Sequence, residues 1–289
     1  MHQAIRLLIA LALCTATRSF GQSGRVQPAS APPIQLGITD SLASTILHET
    51  RRVNIYLPDG YSPDSARTYP VIYLLDGGID EDFVHIAGLV RYNTTPWINR
   101  FPPSIVVGIQ NVNRRRDFTF AVPNLDFVEK TGFSRSQFTA YGGSAKFMAF
   151  LEKELQPFIE KRYAANTVRT LIGESLGGLL ATEILLRKPT LFNTYIILSP
   201  SLWWDNESLL RQPGWSTLGR HPLTVYVGAC EKTSSVVMYK DAKALADLLG
   251  RQPAGKLRVL FDYLPTETHA TLLHQGVYNA VKAIYPLTK

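Results

Sequence analysis

Apolar positions recur along this chain at two periods. From Ser41 the pattern turns to strands. Residues 44–57 partly alternate and stop at Pro58, Asp59 and Gly60, which predicts a hairpin or a strand pair. Residues 69–75 and 103–109 are nearly continuous apolar runs, the mark of strands buried on both faces. Residues 145–163 space Phe147, Phe150, Leu151, Leu155 and Phe158 as a helix does, and His85 sits in a helix-like run. Beyond them, strands at 169–172, 194–198, 223–227 and 257–261 alternate with helices at 176–187, 237–249 and 271–284. That alternation predicts an α/β fold: a mostly parallel central sheet, helices on both faces, and an antiparallel strand pair at its N-terminal end. No internal repeat is visible.

The first residues follow other rules. Arg6 is a short positive region, residues 7–16 are apolar but too few to span a bilayer, and Ser19 and Gly21 are small residues at the cleavage-defining positions. Residues 1–21 are therefore expected to be a signal peptide, residues 22–36 a flexible leader, and residues 37–289 a single domain, exported to the periplasm or secreted. A lipoprotein reading through Cys14 is weaker, because the large Leu13 precedes it. No later stretch is long and apolar enough for a membrane helix. Cleavage removes Cys14 and leaves Cys230 alone, so the fold is expected to rest on its core. The formal charge of +7 falls to about +5 without Arg6 and Arg18. Arg114, Arg115 and Arg116 form the only run of three basic residues, with no aromatic-interleaved basic stripe, so nucleic-acid binding is not expected. The run is either a solvated loop or a pull on anionic substrates.

Residues 173–177 read Gly-Glu-Ser-Leu-Gly, between a β-type run and a helical run. Strand–turn–helix is the setting in which G-x-S-x-G makes a nucleophile elbow, with Ser175 held above the sheet. The base is expected at His269, in the loop after strand 257–261. Its rival His274 falls inside the predicted helix, and His48, His85 and His221 read as ordinary histidines. An acid that orients the base should follow strand 223–227, where Glu231 is the nearest carboxylate; a surface glutamate is the equal alternative, and Asp241 a weaker candidate on a helix. Glu174 is expected to shape the pocket. An oxyanion hole needs two amides: one from Leu176, the other from Gly78 in preference to Gly77, after strand 69–75. Residues 111–143 are expected to lie as a loop region over the active face. Trp203 and Trp204 follow strand 194–198. One of them is expected to pack inward and one to face the cleft beside Arg114, Arg115 or Arg116; the alternative puts both in the core. No His/Cys/Asp cluster has zinc-like spacing, and neither metal nor cofactor is expected.

These residues together resemble the putative-esterase branch of the α/β-hydrolases, the group that holds esterase D, feruloyl esterases and the enterobactin or salmochelin esterases. The likeness runs from about Ser41 to Tyr285. It is carried by Leu47-His-Glu-Thr-Arg51, Pro70-Val-Ile-Tyr-Leu-Leu-Asp-Gly77, Arg116-Asp-Phe-Thr119, Gly173-Glu-Ser-Leu-Gly-Gly178, Ser199-Pro-Ser-Leu-Trp-Trp204 and Thr268-His269. Phe120 stands where the family often has proline. The Ser-Pro-Ser-Leu-Trp-Trp segment looks most like the periplasmic siderophore esterases. The resemblance implies the α/β-hydrolase fold, Ser175 as nucleophile and His269 as base, some members working with a serine–histidine dyad. The function expected is hydrolysis of a small-molecule ester, with acyl transfer from the same site, or a non-catalytic binding protein on this fold, as the alternatives.

Overall fold

The computed structural model describes residues 34–220, 222–233, 235–252 and 255–287. The expected signal peptide and most of the leader lie outside them. The strands are β1 (Ile38–Ser44), β2 (Glu49–Tyr56), β3 (Tyr69–Leu74), β4 (Ile105–Ile109), β5 (Ala165–Glu174), β6 (Thr194–Leu198), β7 (Leu223–Ala229) and β8 (Leu257–Tyr263). They form one sheet in the order β1-β2-β4-β3-β5-β6-β7-β8. The β1–β2 and β2–β4 pairs are antiparallel, and the pairs from β4–β3 to β7–β8 are parallel. The antiparallel edge begins earlier than the alternation suggested. Its first strand ends at Ser44, and His48 lies in the turn at φ 57°, not in a strand.

Side-chain alternation divides the core between the two sheet faces. Tyr73, Leu171, Tyr195 and Val225 enter one apolar cluster; Ile72, Leu74, Ile172, Ile196 and Tyr226 enter the other. Strands buried on both faces explain the unbroken apolar runs. The second face is covered by α1 (Phe83–Thr94) and α7 (Leu272–Ile284). The first is covered by α3 (Ser144–Phe150), α4 (Gln156–Arg162), α5 (Leu176–Arg187) and α6 (Val236–Gly250). The short α2 (Arg114–Phe118) also packs there through Phe118. Between α3 and α4 runs a π-helical turn, Leu151–Leu155. Pro157 sits in the first turn of α4, and a proline there lacks its N–H and crowds the carbonyl four residues back, which the wider turn relieves. The residues from Gln35 onward form one compact unit. No helix among the described residues is long and apolar enough to cross a membrane.

Candidate active site

Three neighbouring strands of the parallel sheet end in a non-glycine residue with positive φ: Asp76 (54°) after β3, Ser175 (59°) after β5 and Ser199 (41°) after β6. Strained backbone of this kind persists only where the surroundings hold it, and it gathers at functional sites. At Ser175 the strain comes with a close approach. A Cβ on Gly173 would lie 2.4 Å from the Gly177 carbonyl oxygen, so the strand and the helix meet this tightly only through glycine. Ser175 precedes α5 and is anchored from β6, its N–H donating to the Leu198 oxygen at 3.0 Å.

His269 reaches the elbow from the loop after β8. Its Nε2 lies 3.1 Å from Ser175 Oγ, within the range for proton transfer. Its Nδ1 lies 2.8 Å from Ser199 Oγ, and Ser199 Oγ lies 3.5 Å from Cys230 Sγ. The tautomer with its proton on Nδ1 satisfies this chain: Ser175 donates to Nε2, Nδ1–H donates to Ser199, and Ser199 donates to the buried thiol. Ser175 Oγ also has Ser201 Oγ at 3.3 Å. Burial, and after it the nearby Arg114 guanidinium, holds His269 below its ordinary value of 6.5. The imidazole is thus neutral, and a base, at neutral pH.

Glu174 Oε1 lies 3.7 Å from Nδ1, beyond hydrogen-bond length. Burial pushes its carboxyl up to about 8, against the pull of Arg114. Its protonated form is thus favoured far more than in an ordinary carboxyl, which weakens it as a charged partner of the resting imidazole. The acid expected at Glu231 is placed differently. Its Oε2 accepts from Thr233, from the N–H at 2.7 Å and from the hydroxyl. Its own N–H donates to the Glu267 oxygen at 2.8 Å, which ties the end of β7 to the loop that carries His269. The groups at Nδ1 are Ser199 and Glu174. Asp241, expected as an exposed helical residue, is buried in α6 and pushed up to about 7 by desolvation.

Both candidate oxyanion glycines have amide partners within the chain. Gly78 N–H donates to Glu81 Oε2 at 2.6 Å, and Gly77 N–H to the Ile109 oxygen at 3.0 Å. The glycine at 77 is required by packing, since a Cβ there would lie 2.3 Å from Gly108 Cα. Leu176, by contrast, is the first residue of α5, where an amide has no intrahelical acceptor, and it lines a cavity together with Ser175.

Both tryptophans belong to the buried core, and only Trp203 also borders a cavity. Trp204 is fully buried, donates from Nε1 to the Phe120 oxygen at 3.0 Å and packs among Phe127 and Phe138. Trp203 lines the cavities on both sides of Ser175. Arg116 turns away from them. It pairs with Glu49 and Asp117, and Asp117 holds the buried Arg51 at 2.6 Å. Arg114 and Arg115 line the cavity instead. Arg114 is tied to Asp76 by two hydrogen bonds of 2.6 and 2.9 Å, and Arg115 sits over the Phe138 ring. The segment 111–143 does contribute to the cleft walls, through Val112, Phe133, Phe138 and Thr139 among others. Among the described residues no group of three His, Cys, Asp or Glu side chains could hold a metal ion.

The model of the family described as Putative esterase matches residues 44–243. The chain belongs to this esterase family. It is 30% identical over 258 residues to the ferri-bacillibactin esterase BesA of Bacillus subtilis, covering 83% of this chain and 87% of that one. Among solved structures, the esterase superposes on an IroE-like serine hydrolase from Shewanella oneidensis with a TM-score of 0.75. The identity there is 31%, over 86% of this chain and 80% of the other. The BES protein from Bacillus cereus gives 0.74 at 26% identity, over 89% and 98% of the two chains. The fold is that of the α/β-hydrolases, and the protein is a carboxylic-ester hydrolase.

Proposed function

We propose that this esterase is an exported serine hydrolase that opens a siderophore-type ester through an acyl-enzyme on Ser175. His269 takes the Ser175 proton, then gives it to the leaving alcohol. Water follows the same route in reverse and releases the acid. One observation carries the reading: at the strained elbow, Ser175 Oγ lies 3.1 Å from a neutral, half-buried imidazole whose other nitrogen is already held by Ser199. Ser199 keeps the ring in the productive tautomer, the task an acid has in a triad, without adding negative charge. The substrate class is supported by relatives whose names speak of siderophore esters. Export is supported by the signal-type pattern of residues 1–21 and the leader to 36, followed by a single catalytic domain from 37 to 289.

The test is labelling of Ser175 by a fluorophosphonate, then ranking of a catecholate trilactone against feruloyl and short aliphatic esters by kcat/KM. Trilactone turnover below that of the plain aliphatic esters would remove the siderophore assignment.

Two outcomes follow from the surroundings of His269. Neutral imidazole is the active form and its pKa is lowered, so kcat/KM stays level through neutral pH and declines only below pH 6.5. An acid limb centred above 6.5, read from the pH profile, would contradict a partly desolvated base beside Arg114. The second concerns Nδ1. Ser199→Ala is expected to lower kcat by about tenfold to a hundredfold, and Glu174→Gln, which keeps the neutral form, by less than about threefold. A loss of about a hundredfold or more in Glu231→Gln would restore Glu231 as the orienting acid.

A further inference from the structure

Two cavities meet at Ser175. One, of about 420 Å³, holds Leu176, Arg114, Arg115 and Gln137. The other, of about 330 Å³, holds His269, Val236, Val237 and Met238. They share Ser175, Ser201, Phe133 and Trp203. The Phe133 and Trp203 rings stack with centroids 5.4 Å apart and planes 26° apart, a flat aromatic wall common to both.

We infer that the site divides its ester at the scissile bond, taking a polar, anionic acyl arm on the Leu176–Arg115 side and an uncharged alcohol on the His269–Val237 side. This rests on the serine-hydrolase reading above and adds the substrate's polarity to it.

The direction follows from where charge and protons go. Ser175 Oγ bonds to the carbonyl carbon while its proton moves to His269 Nε2. The carbonyl oxygen gains charge and needs an amide donor, and Leu176 lines the first cavity only. The bond to the alcohol oxygen then breaks, and that oxygen takes the proton from Nε2. It must therefore lie on the His269 side, in the second cavity. Attack of water on the acyl-enzyme breaks the carbon–Oγ bond, returns a proton to Ser175 through His269 and leaves a carboxylic acid. With the alcohol in the second cavity, the acyl arm fills the first.

The two linings differ in kind. Arg114 lines the first cavity, but its charge is matched by Asp76. Arg115 is exposed, its guanidinium lies 5.3 Å from the centre of the Phe138 ring, and it has no ion pair among the described residues. It is the cation left to meet an acidic acyl arm. Beside the Thr131 and Ser235 hydroxyls, the alcohol side offers Val236, Val237 and Met238 and no charged side chain, and Val236 and Val237 are solvent-exposed at the rim. A charged alcohol would lose water there and gain no countercharge.

The test uses two isomeric esters of equal size and charge. Butyl hydrogen succinate carries its carboxylate on the acyl arm, and the butanoyl ester of 4-hydroxybutanoate carries it on the alcohol. At low salt the first is expected to have the higher kcat/KM by about fivefold or more. Arg115→Gln should bring the ratio close to one, and Val237→Lys should raise turnover of the second ester. A ratio at or below one in the wild type, or a ratio that Arg115→Gln leaves in place, overturns the inference. Fluorophosphonate labelling and phenyl acetate hydrolysis run in parallel separate the two readings. If both succeed while the ratio fails, the division of the site is wrong and the serine mechanism stands. If Ser175 is not labelled, both fall.

Discussion

Ser175→Ala should lower ester hydrolysis by about a thousandfold or more while leaving the fold intact. The loss is large because the acyl-enzyme route ends with the hydroxyl, and only oxyanion stabilisation and binding are left to assist direct attack by water. The fold should survive because Ser175 Oγ makes its contacts with His269 and Ser201, both in the site, and neither holds a helix to the sheet. The backbone strain at φ 59° remains in the alanine variant, since it is set by the strand-to-helix turn and its glycines. Activity is read as kcat/KM on phenyl acetate and stability from the thermal midpoint by circular dichroism. Turnover near that of the wild type would remove Ser175 as nucleophile.

His269→Ala is expected to match that loss, and the Ser175→Ala/His269→Ala double variant to be no slower than either single one. A nucleophile without its base, or a base without its nucleophile, leaves the same residual pathway, so the two effects do not add. His274→Ala is the control. His274 lies on α7 with its ring stacked on His85 at 3.5 Å and Nε2 3.0 Å from Asp82, a surface contact between α7 and α1. Single-turnover kinetics with a chromogenic ester separate acylation from deacylation, and His269→Ala should slow both. A crippled His274→Ala with an active His269→Ala would reverse the assignment.

Some of this was legible in the residues alone. Gly173, Ser175 and Gly177 between an apolar strand and a helix specify a tight turn, because only glycine tolerates a 2.4 Å approach. The apolar runs marked the parallel strands, because a strand buried on both faces cannot alternate. The position of His269, in a loop at the carboxyl end of the last strand, follows from the order of elements. Other features were not legible. α1 showed only as a helix-like run at His85, although Phe83, Ile86, Ala87 and Val90 bury one side of it. Ser199 showed only as the start of a family-like segment and not as a partner of the base, since a serine after a strand is common. Its signal was its place: it opens the Ser-Pro-Ser segment after β6, next to the elbow strand.

What the sequence determined by itself is what neighbours in the chain decide: period, turn chemistry and strain, hence the strands, the elbow and the loop of the base. What only the tertiary structure decided is which polar groups meet across elements. The Nδ1 partner became Ser199, because β6 lies beside β5 and its end faces the His269 loop, whereas Glu231 spends its backbone on that loop and its side chain on Thr233. Arg116, not Arg115, entered the ion network with Glu49 and Asp117, because Arg51 and Glu49 come from β2, more than sixty residues earlier. The Gly78 amide meets Glu81, a partner three residues along that the glycine turn alone did not announce. Both indoles pack among Phe127 and Phe138, but only Trp203 also reaches the cavity walls, while the Phe120 carbonyl takes the Trp204 N–H. Such choices depend on distances between residues far apart in the chain, and no local pattern encodes them.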